Sequence, residues 1–176
     1  MEERLISPKI DRKAYIKARI IETLDDIDVA IHMWIAGRSR NSAGKVFSAV
    51  KALLSALVTK NLDRLPNSDW YAKRGYNAPT HSLKGISMDL AKLGFTQVEN
   101  ITDKAFLLHD YQYNGFDPDF SKYKKKEEVF HDILIVSNFI LDHIKEWFKE
   151  EWDNDLDNVY NIVLYDMKKL SCRGTT

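Results

Sequence analysis

The sequence predicts an all-α protein that folds as an antiparallel up-and-down bundle of about five to six helices. Five successive stretches of the 176-residue chain carry apolar side chains at steps of three and four, the period of a helix with one buried face. Strand-like alternation of apolar and polar residues is nearly absent. Mostly short connections separate the periodic stretches, which favours neighbouring helices that run in opposite directions.

The first two predicted helices form a long pair near the amino terminus. The first covers residues 11–36, and Gly37 ends it because glycine readily adopts the left-handed conformation found after a helix. Asn41 or Ser42 caps the second, which runs to about residue 61. Their apolar stripes are Ile16, Ile20, Leu24, Ile27, Ile31 and Trp34 in the first helix and Val46, Val50, Leu53, Leu54 and Leu57 in the second.

The rest of the chain predicts shorter helices followed by one long helix and an extension. The elements are an irregular stretch at 65–79 and helices at 80–93, 102–114, 124–152 and 156–170. Thr102 is the expected cap of the fourth helix, and Gly115 ends it. The predicted division is a lead at 1–10, a bundle at 11–152, and a helical extension and tail at 153–176.

Composition narrows the class of protein. Lys plus Arg and Asp plus Glu both number 26, so the net charge is zero, which argues against a strongly basic nucleic-acid coat and leaves a local basic patch open. Cys172 is the only cysteine, which excludes an intrachain disulfide and a cysteine-based zinc site. Charged residues open the chain and no long uncharged apolar run follows. We therefore expect a soluble, cytoplasmic protein without a signal peptide or a membrane span.

Several short patterns resemble ligand sites and fail on spacing. Residues 37–45 have six residues between Gly37 and Gly44, where a phosphate-binding loop has four. Residues 153–164 lack the glycine and the final glutamate of a calcium loop. The five histidines do not form a metal site by spacing, and His32 is interpreted as a packing residue. We therefore predict no metal site and no cofactor.

Two basic segments stay open to two interpretations. Arg38, Arg40 and Lys45 lie near the start of the second helix, where free N–H groups favour an anion, although a solvated basic turn is the simpler and preferred explanation. Residues 122–126 hold four lysines at the start of the fifth helix, where cations oppose the helix dipole. An ordinary soluble surface, with Lys124 and Glu128 as an ion pair four residues apart, is the preferred interpretation. An RNA backbone or an acidic partner that stabilises the run is the alternative.

The stretch from His109 to Gly115 is the densest group of hydrogen-bonding side chains in the sequence. His109 and Tyr113 are four residues apart and share a helix face, and Asp110 and Asn114 form the adjacent pair. A histidine near a carboxylate and a phenol is suited to proton transfer near neutral pH. The alternative is structural, with Asp110 holding the following loop and Tyr113 covering the core.

Three segments carry a resemblance to a known family. They are residues 41–57 (NSAGKVF followed by KALLSAL), residues 78–81 (APTH) and residues 109–115 (HDYQYNG). In this order and spacing they resemble the archaeal PaREP-type proteins, which are placed in the HEPN superfamily, and the resemblance covers about residues 11–150. It implies a helical bundle, often a homodimer, associated with nucleotides or RNA. The family's Arg-to-His nuclease pattern is matched only by Arg74 and His81, with six residues between them.

The resemblance and the polar residues together give three hypotheses. The first is a non-catalytic homodimer that binds nucleotide or RNA in a polar cleft. The residues assigned to that cleft are Lys45, Lys51, His81, His109, Asp110, Tyr113 and Asn114. The second is a metal-independent endoribonuclease of toxin type, in which His81 or His109, with Asp110, moves protons and Arg74 or Lys45 stabilises the phosphorane. The third is a structural subunit of a toxin–antitoxin pair, anchored by Trp147, Phe148 and Trp152.

Overall fold

The computed structural model describes residues 5–173, and within them all regular structure is helical. The seven α-helices are α1 (Arg12–Ile35), α2 (Ser39–Lys60), α3 (Ser68–Lys73), α4 (Leu83–Lys92), α5 (Val98–Asn114), α6 (Lys126–Trp147) and α7 (Asn154–Arg173). Two 3₁₀ turns, Gly75–Asn77 and Thr80–Ser82, lie between α3 and α4. The all-α prediction is confirmed. The antiparallel order and the HEPN-like bundle stay predictions.

The helix count exceeds the prediction because α3 forms inside the segment expected to be irregular. Tyr71 anchors α3, since it is buried and its hydroxyl donates a hydrogen bond to Asp89 Oδ2 at 2.7 Å. The expected cap at Thr102 is also wrong. α5 begins four residues earlier, and Thr102 lies buried inside it with its hydroxyl donating to the Val98 carbonyl at 2.8 Å.

The helix α2 lies at the centre of the fold. It packs against α1 on one side and α5 on another, and its residues from Val46 to Thr59 are almost all buried. Ser42 fixes the approach of α1 by donating a hydrogen bond to the Ala30 carbonyl at 2.8 Å. Among the described helices, α2 alone is long and apolar enough to cross a membrane, and 83% of its apolar window is buried inside the protein.

The carboxyl-terminal helix α7 packs on α1 and belongs to the same apolar core. Its buried face consists of Leu156, Val163, Met167 and Leu170. At the start of α7, the Lys17 ammonium pairs with Asp153 at 2.6 Å and with Asp155 at 2.9 Å. The side chain of Cys172 lies outside the residues whose burial is described. The boundary predicted at residue 153 falls in the turn between α6 and α7.

The aromatic residues expected to anchor a partner protein instead pack within the chain. Phe148 is completely buried. Trp147 is half-buried, and its ring meets the ring of Phe95 edge-on at 5.4 Å. Trp152 is also half-buried, and its indole N–H donates to Asp157 Oδ1 at 3.0 Å. These contacts and this burial give all three side chains a structural role within the chain.

Candidate functional site

The structure brings His109 and Tyr113 together as an aromatic cluster with Phe47. The His109 ring stacks on Phe47 with centroids 4.0 Å apart, and Tyr113 meets the histidine edge-on at 5.1 Å. His109 Nδ1 is buried and has no hydrogen-bond partner among the described residues. Asp110 is exposed and makes no described side-chain hydrogen bond. The geometry is that of packed rings, and the catalytic roles of His109 and Asp110 stay predictions.

The basic residues at the start of α2 contact the protein itself. The Arg40 guanidinium donates to the backbone carbonyls of Gln112 and Tyr113, which are free because α5 ends there. The Lys45 ammonium donates to Asp26 Oδ1 at 2.8 Å. Burial raises the pKa of Asp26, and Lys45 opposes that rise. Arg40 and Lys45 therefore join α2 to α5 and to α1, which weakens the interpretation of this turn as an anion site.

The remaining predicted site residues are dispersed. Arg74 follows α3 and His81 lies in the second 3₁₀ turn, and both side chains are exposed. Lys51 is half-buried one turn after Phe47 on α2, and Asn114 is the half-buried last residue of α5. Within residues 5–173 no described hydrogen bond, ion pair or ring contact joins Arg74, His81 or Lys51 to His109. The shared cleft predicted for these residues stays a prediction.

The end of α5 and the connection to α6 expose three aromatic rings within eight residues. The exposed fraction is 66% for Tyr113, 45% for Phe116 and 64% for Phe120. Large apolar side chains are normally covered, and several exposed together on one short segment mark a binding surface more often than one alone does. We call this region, residues 113–126, the α5–α6 corner.

Local hydrogen bonds give the corner a defined shape. Asp117 Oδ1 accepts from the backbone N–H groups of Asp119 and Phe120 at 2.9 Å and 3.2 Å, which closes a tight turn. The buried ring of Tyr111 contacts Phe116 at 5.0 Å on one side and Tyr123 at 5.7 Å on the other. Phe116 and Phe120 are therefore carried on a packed loop, and Tyr113 lies just before it in the last turn of α5.

The lysines of the corner have no carboxylate partner in the described part of the chain. Lys122, Lys124, Lys125 and Lys126 are all exposed and take part in no described ion pair. The nearby Glu128 carboxylate instead accepts from the backbone N–H groups of Lys124 and Lys125, which lower the pKa of that carboxyl. Glu128 thus stabilises the start of α6, and the lysine ammonium groups stay available to other anions.

A cleft of about 520 Å³ adjoins the corner at the start of α6. Its lining residues are Lys122, Tyr123, Lys124, Glu127, Glu128, His131 and Asp132. At its base the buried Asp132 carboxylate accepts from the Tyr123 hydroxyl at 2.7 Å and from the Lys104 ammonium at 3.0 Å. Burial acts to raise the pKa of Asp132, but the bonds from Tyr123, Lys104 and His131 outweigh it, so the pKa lies below its ordinary value.

Comparison with known proteins gives one family. The sequence profile of the archaeal PaREP1/PaREP8 family matches residues 18–134, well over half of the chain. The chain belongs to this family. No curated protein and no solved structure matches it. The matched range contains the α5–α6 corner and ends inside α6, and placement of the PaREP1/PaREP8 chain in the HEPN superfamily stays a prediction.

The sequence of this PaREP1/PaREP8 protein indicated Tyr113 and the lysine run as candidate binding residues of the corner, but it did not indicate Phe116 and Phe120. Both phenylalanines fall in a stretch with no helical period, so the pattern of apolar residues carries no signal about their exposure. Tyr111 and Tyr123 lie in the same part of the chain and are buried. Composition was the one signal for their exposure, since two phenylalanines in a polar loop are unusual.

The Asp132 network predicts a pH-dependent loss of stability in the Asp132→Asn variant. We expect a decrease of about 1–3 kcal/mol in the free energy of unfolding at pH 7, because charged hydrogen bonds are lost. The folded pKa of Asp132 is lowered, so this contribution is complete above the unfolded pKa of about 3.9 and is lost as pH falls through the folded pKa. Urea denaturation at pH 7 and pH 3 measures the loss of stability and its decrease at low pH.

The exposed Asp142→Asn variant is the control for removal of one carboxylate from the same helix. It should change stability by less than about 0.5 kcal/mol. An Asp132→Asn deficit of equal size at both pH values would contradict the charged network.

Proposed function

We propose that the α5–α6 corner of this PaREP1/PaREP8 protein binds single-stranded RNA. The observation that carries the proposal is the coincidence of three exposed rings with four lysines that have no described carboxylate partner. Proteins that hold single strands combine a positive surface for the phosphates with aromatic side chains on which bases stack. Both elements occur here on one segment of fourteen positions, residues 113–126.

The charge that supports binding is local. The chain has a net charge of zero, so its overall field does not attract RNA. At the corner and just after it, however, Asp117 and Glu128 accept hydrogen bonds from backbone N–H groups, while the lysine side chains are exposed. Lys126 is held differently, with its ammonium 5.1 Å from the centre of the Trp34 ring. Lys122, Lys124 and Lys125 are therefore the expected phosphate contacts.

The exposed rings favour a single strand over a duplex. Stacking on a side chain requires an unpaired base, and the bases of a double helix are already stacked on each other. The rings and lysines are spread along a loop and the first turn of a helix, which suits a strand of several nucleotides better than one mononucleotide. The homodimer and the toxin–antitoxin partner stay predictions of the resemblance.

Charge reversal of Lys124 and Lys125 is the direct test of this function. We expect the Lys124→Glu/Lys125→Glu variant to bind a fluorescent 12-nucleotide RNA about tenfold or more weakly, because two phosphate contacts become repulsive. The slope of log affinity against log salt should fall by about 1–2, since fewer counterions are released. Fluorescence anisotropy titrations at several salt concentrations measure both quantities.

The matched control reverses two exposed lysines elsewhere, Lys73 at the end of α3 and Lys168 on α7. Equal weakening in both double variants would show a diffuse charge effect and would overturn the assignment to the corner, as would absence of binding by the unmodified protein. Gel analysis of RNA recovered from the titrations in EDTA tests the endoribonuclease alternative. Size-exclusion chromatography of the same samples tests the homodimer.

A further inference from the structure

Three potential metal ligands, two from α1 and one from the distant helix α7, lie close together where these helices pack. Asp28 and His32 lie one turn apart on α1, and Asp166 approaches them from α7. One ligand atom from each residue lies within 4.8 Å of those of the other two. We propose that this Asp28–His32–Asp166 cluster binds a divalent transition-metal ion, best suited to zinc, and that the ion ties α7 to the bundle.

The His32 ring is held in the tautomer that a metal site needs. Its Nδ1 lies 2.8 Å from the backbone carbonyl oxygen of Asp28, and because a carbonyl only accepts, Nδ1 carries the proton. A neutral ring then presents the lone pair of Nε2. Metal-binding histidines are usually fixed in this way, through a hydrogen bond from the other ring nitrogen to a carbonyl or carboxylate.

His32 Nε2 lies near the Asp166 carboxylate but does not bond to it directly. Asp166 Oδ2 lies 3.9 Å from His32 Nε2, which is too long for a hydrogen bond. A tetrahedral zinc ion with bonds of about 2 Å holds two ligand atoms about 3.3 Å apart, so the two side chains must approach by about 0.6 Å to bind it. Asp28 Oδ2 lies 3.5 Å from Nδ1 of the same ring. The ligand atoms of the three residues thus lie within 4.8 Å of one another.

A bound cation would remove the repulsion between the Asp28 and Asp166 carboxylates. Asp28 Oδ1 is buried without a hydrogen-bond partner in the described part of the chain. Two like charges in a partly buried space repel each other unless a proton or a cation lies between them. His32 forms the solvent side of the cluster, since 62% of its side chain is exposed, and an ion can enter there.

The donor set selects the class of metal. One imidazole nitrogen and two carboxylate oxygens suit zinc, whereas magnesium and calcium prefer oxygen ligands alone. Three protein ligands leave a position for water. The site joins two different regions of the sequence, because α1 lies largely within the family match at residues 18–134 and Asp166 lies outside it. The ion therefore stabilises the attachment of α7.

The spacing of these three ligands along the chain does not predict the cluster. His32, interpreted as a packing residue, is exposed in the structure, so that interpretation is wrong. Two of the ligands are four residues apart on one helix face, a common arrangement that is unspecific alone. The third ligand comes from α7, and only the packing of α7 on α1 brings it near.

Zinc binding to the untagged, full-length protein tests the proposal. After EDTA treatment and its removal, zinc chloride titrated in a calorimeter should bind with a stoichiometry of one per chain. At a hundredfold excess over the dissociation constant, zinc should raise the melting temperature by about 5 °C or more. Hydrogen exchange should slow in α7 when zinc is added.

Variants distinguish this site from adventitious binding. His32→Ala, at an exposed position, and Asp166→Asn should both abolish the zinc-induced shift, and His81→Ala, another exposed histidine, should retain it. No heat and no shift with the unmodified protein would overturn the proposal, as would a shift that persists in His32→Ala. If Asp166→Asn raises the melting temperature without metal while zinc has no effect on the unmodified protein, a shared proton explains the carboxylate pair instead.

Discussion

Replacing Tyr113 and Phe120 together by alanine should weaken binding of single-stranded RNA by about 30-fold or more. Stacking of one base on one aromatic side chain contributes about 1–3 kcal/mol, so the loss of two platforms removes about 2–6 kcal/mol of binding free energy. These two rings are the most exposed of the corner, at 66% and 64%, so their removal should leave folding intact. Anisotropy titration with a 12-nucleotide RNA measures the affinity, and circular dichroism checks the helix content.

The control for this double variant is Tyr165→Ala. Tyr165 is equally exposed, at 60%, but lies on α7 away from the corner in sequence. We expect its replacement to leave RNA affinity within about twofold, because scattered surface rings contribute little to a localised site. An unchanged affinity of the Tyr113→Ala/Phe120→Ala variant would contradict the stacking role even if the lysine variants bind weakly.

Phe148→Ala should cost about 3–5 kcal/mol of stability, a large part of the total for a domain of this size. Phe148 has no exposed surface and fills the core just after α6, so its truncation removes apolar contacts and leaves a cavity. The expected fall in melting temperature is about 10 °C, measured by calorimetry. This result separates a core residue from the partner anchor that the sequence suggested.

The comparison for Phe148 is Ile162→Ala on α7. Ile162 is 58% exposed, so its truncation should change the unfolding free energy by less than about 0.5 kcal/mol. If Phe148 were an interface residue, its replacement would leave the unfolding free energy of the isolated chain nearly unchanged. A Phe148→Ala variant as stable as Ile162→Ala would therefore contradict the burial of Phe148 in the core.

The sequence predicted the long helices because each has a complete apolar stripe. In α1 and α2 the stripes span several turns, and the observed bounds, Arg12–Ile35 and Ser39–Lys60, lie within a few residues of those predicted. The six-residue α3 is too short to show a period, so its segment was predicted to be irregular. Thr102 was wrongly predicted as a cap, because a threonine hydroxyl can cap a helix or bond within it. In the structure the hydroxyl donates to the carbonyl of the preceding turn.

Part of the candidate site was also evident from the chain alone. His109 and Tyr113 share a face because they are four residues apart on one helix, and their rings do meet. Their contact with Phe47 requires the packing of α5 on α2, which no local pattern specifies. The same packing gives Arg40 its partners at the end of α5.

The helical class, the long helices and the landmark segments that resemble the PaREP-type proteins follow from the sequence alone, because helical period and short motifs are local properties. Helix packing establishes which lysines lack a carboxylate partner within residues 5–173, which aromatic rings are exposed, and that Asp166 lies beside Asp28 and His32. These are properties of packed helices, and exposure and ion pairing depend on neighbours that lie far away along the chain.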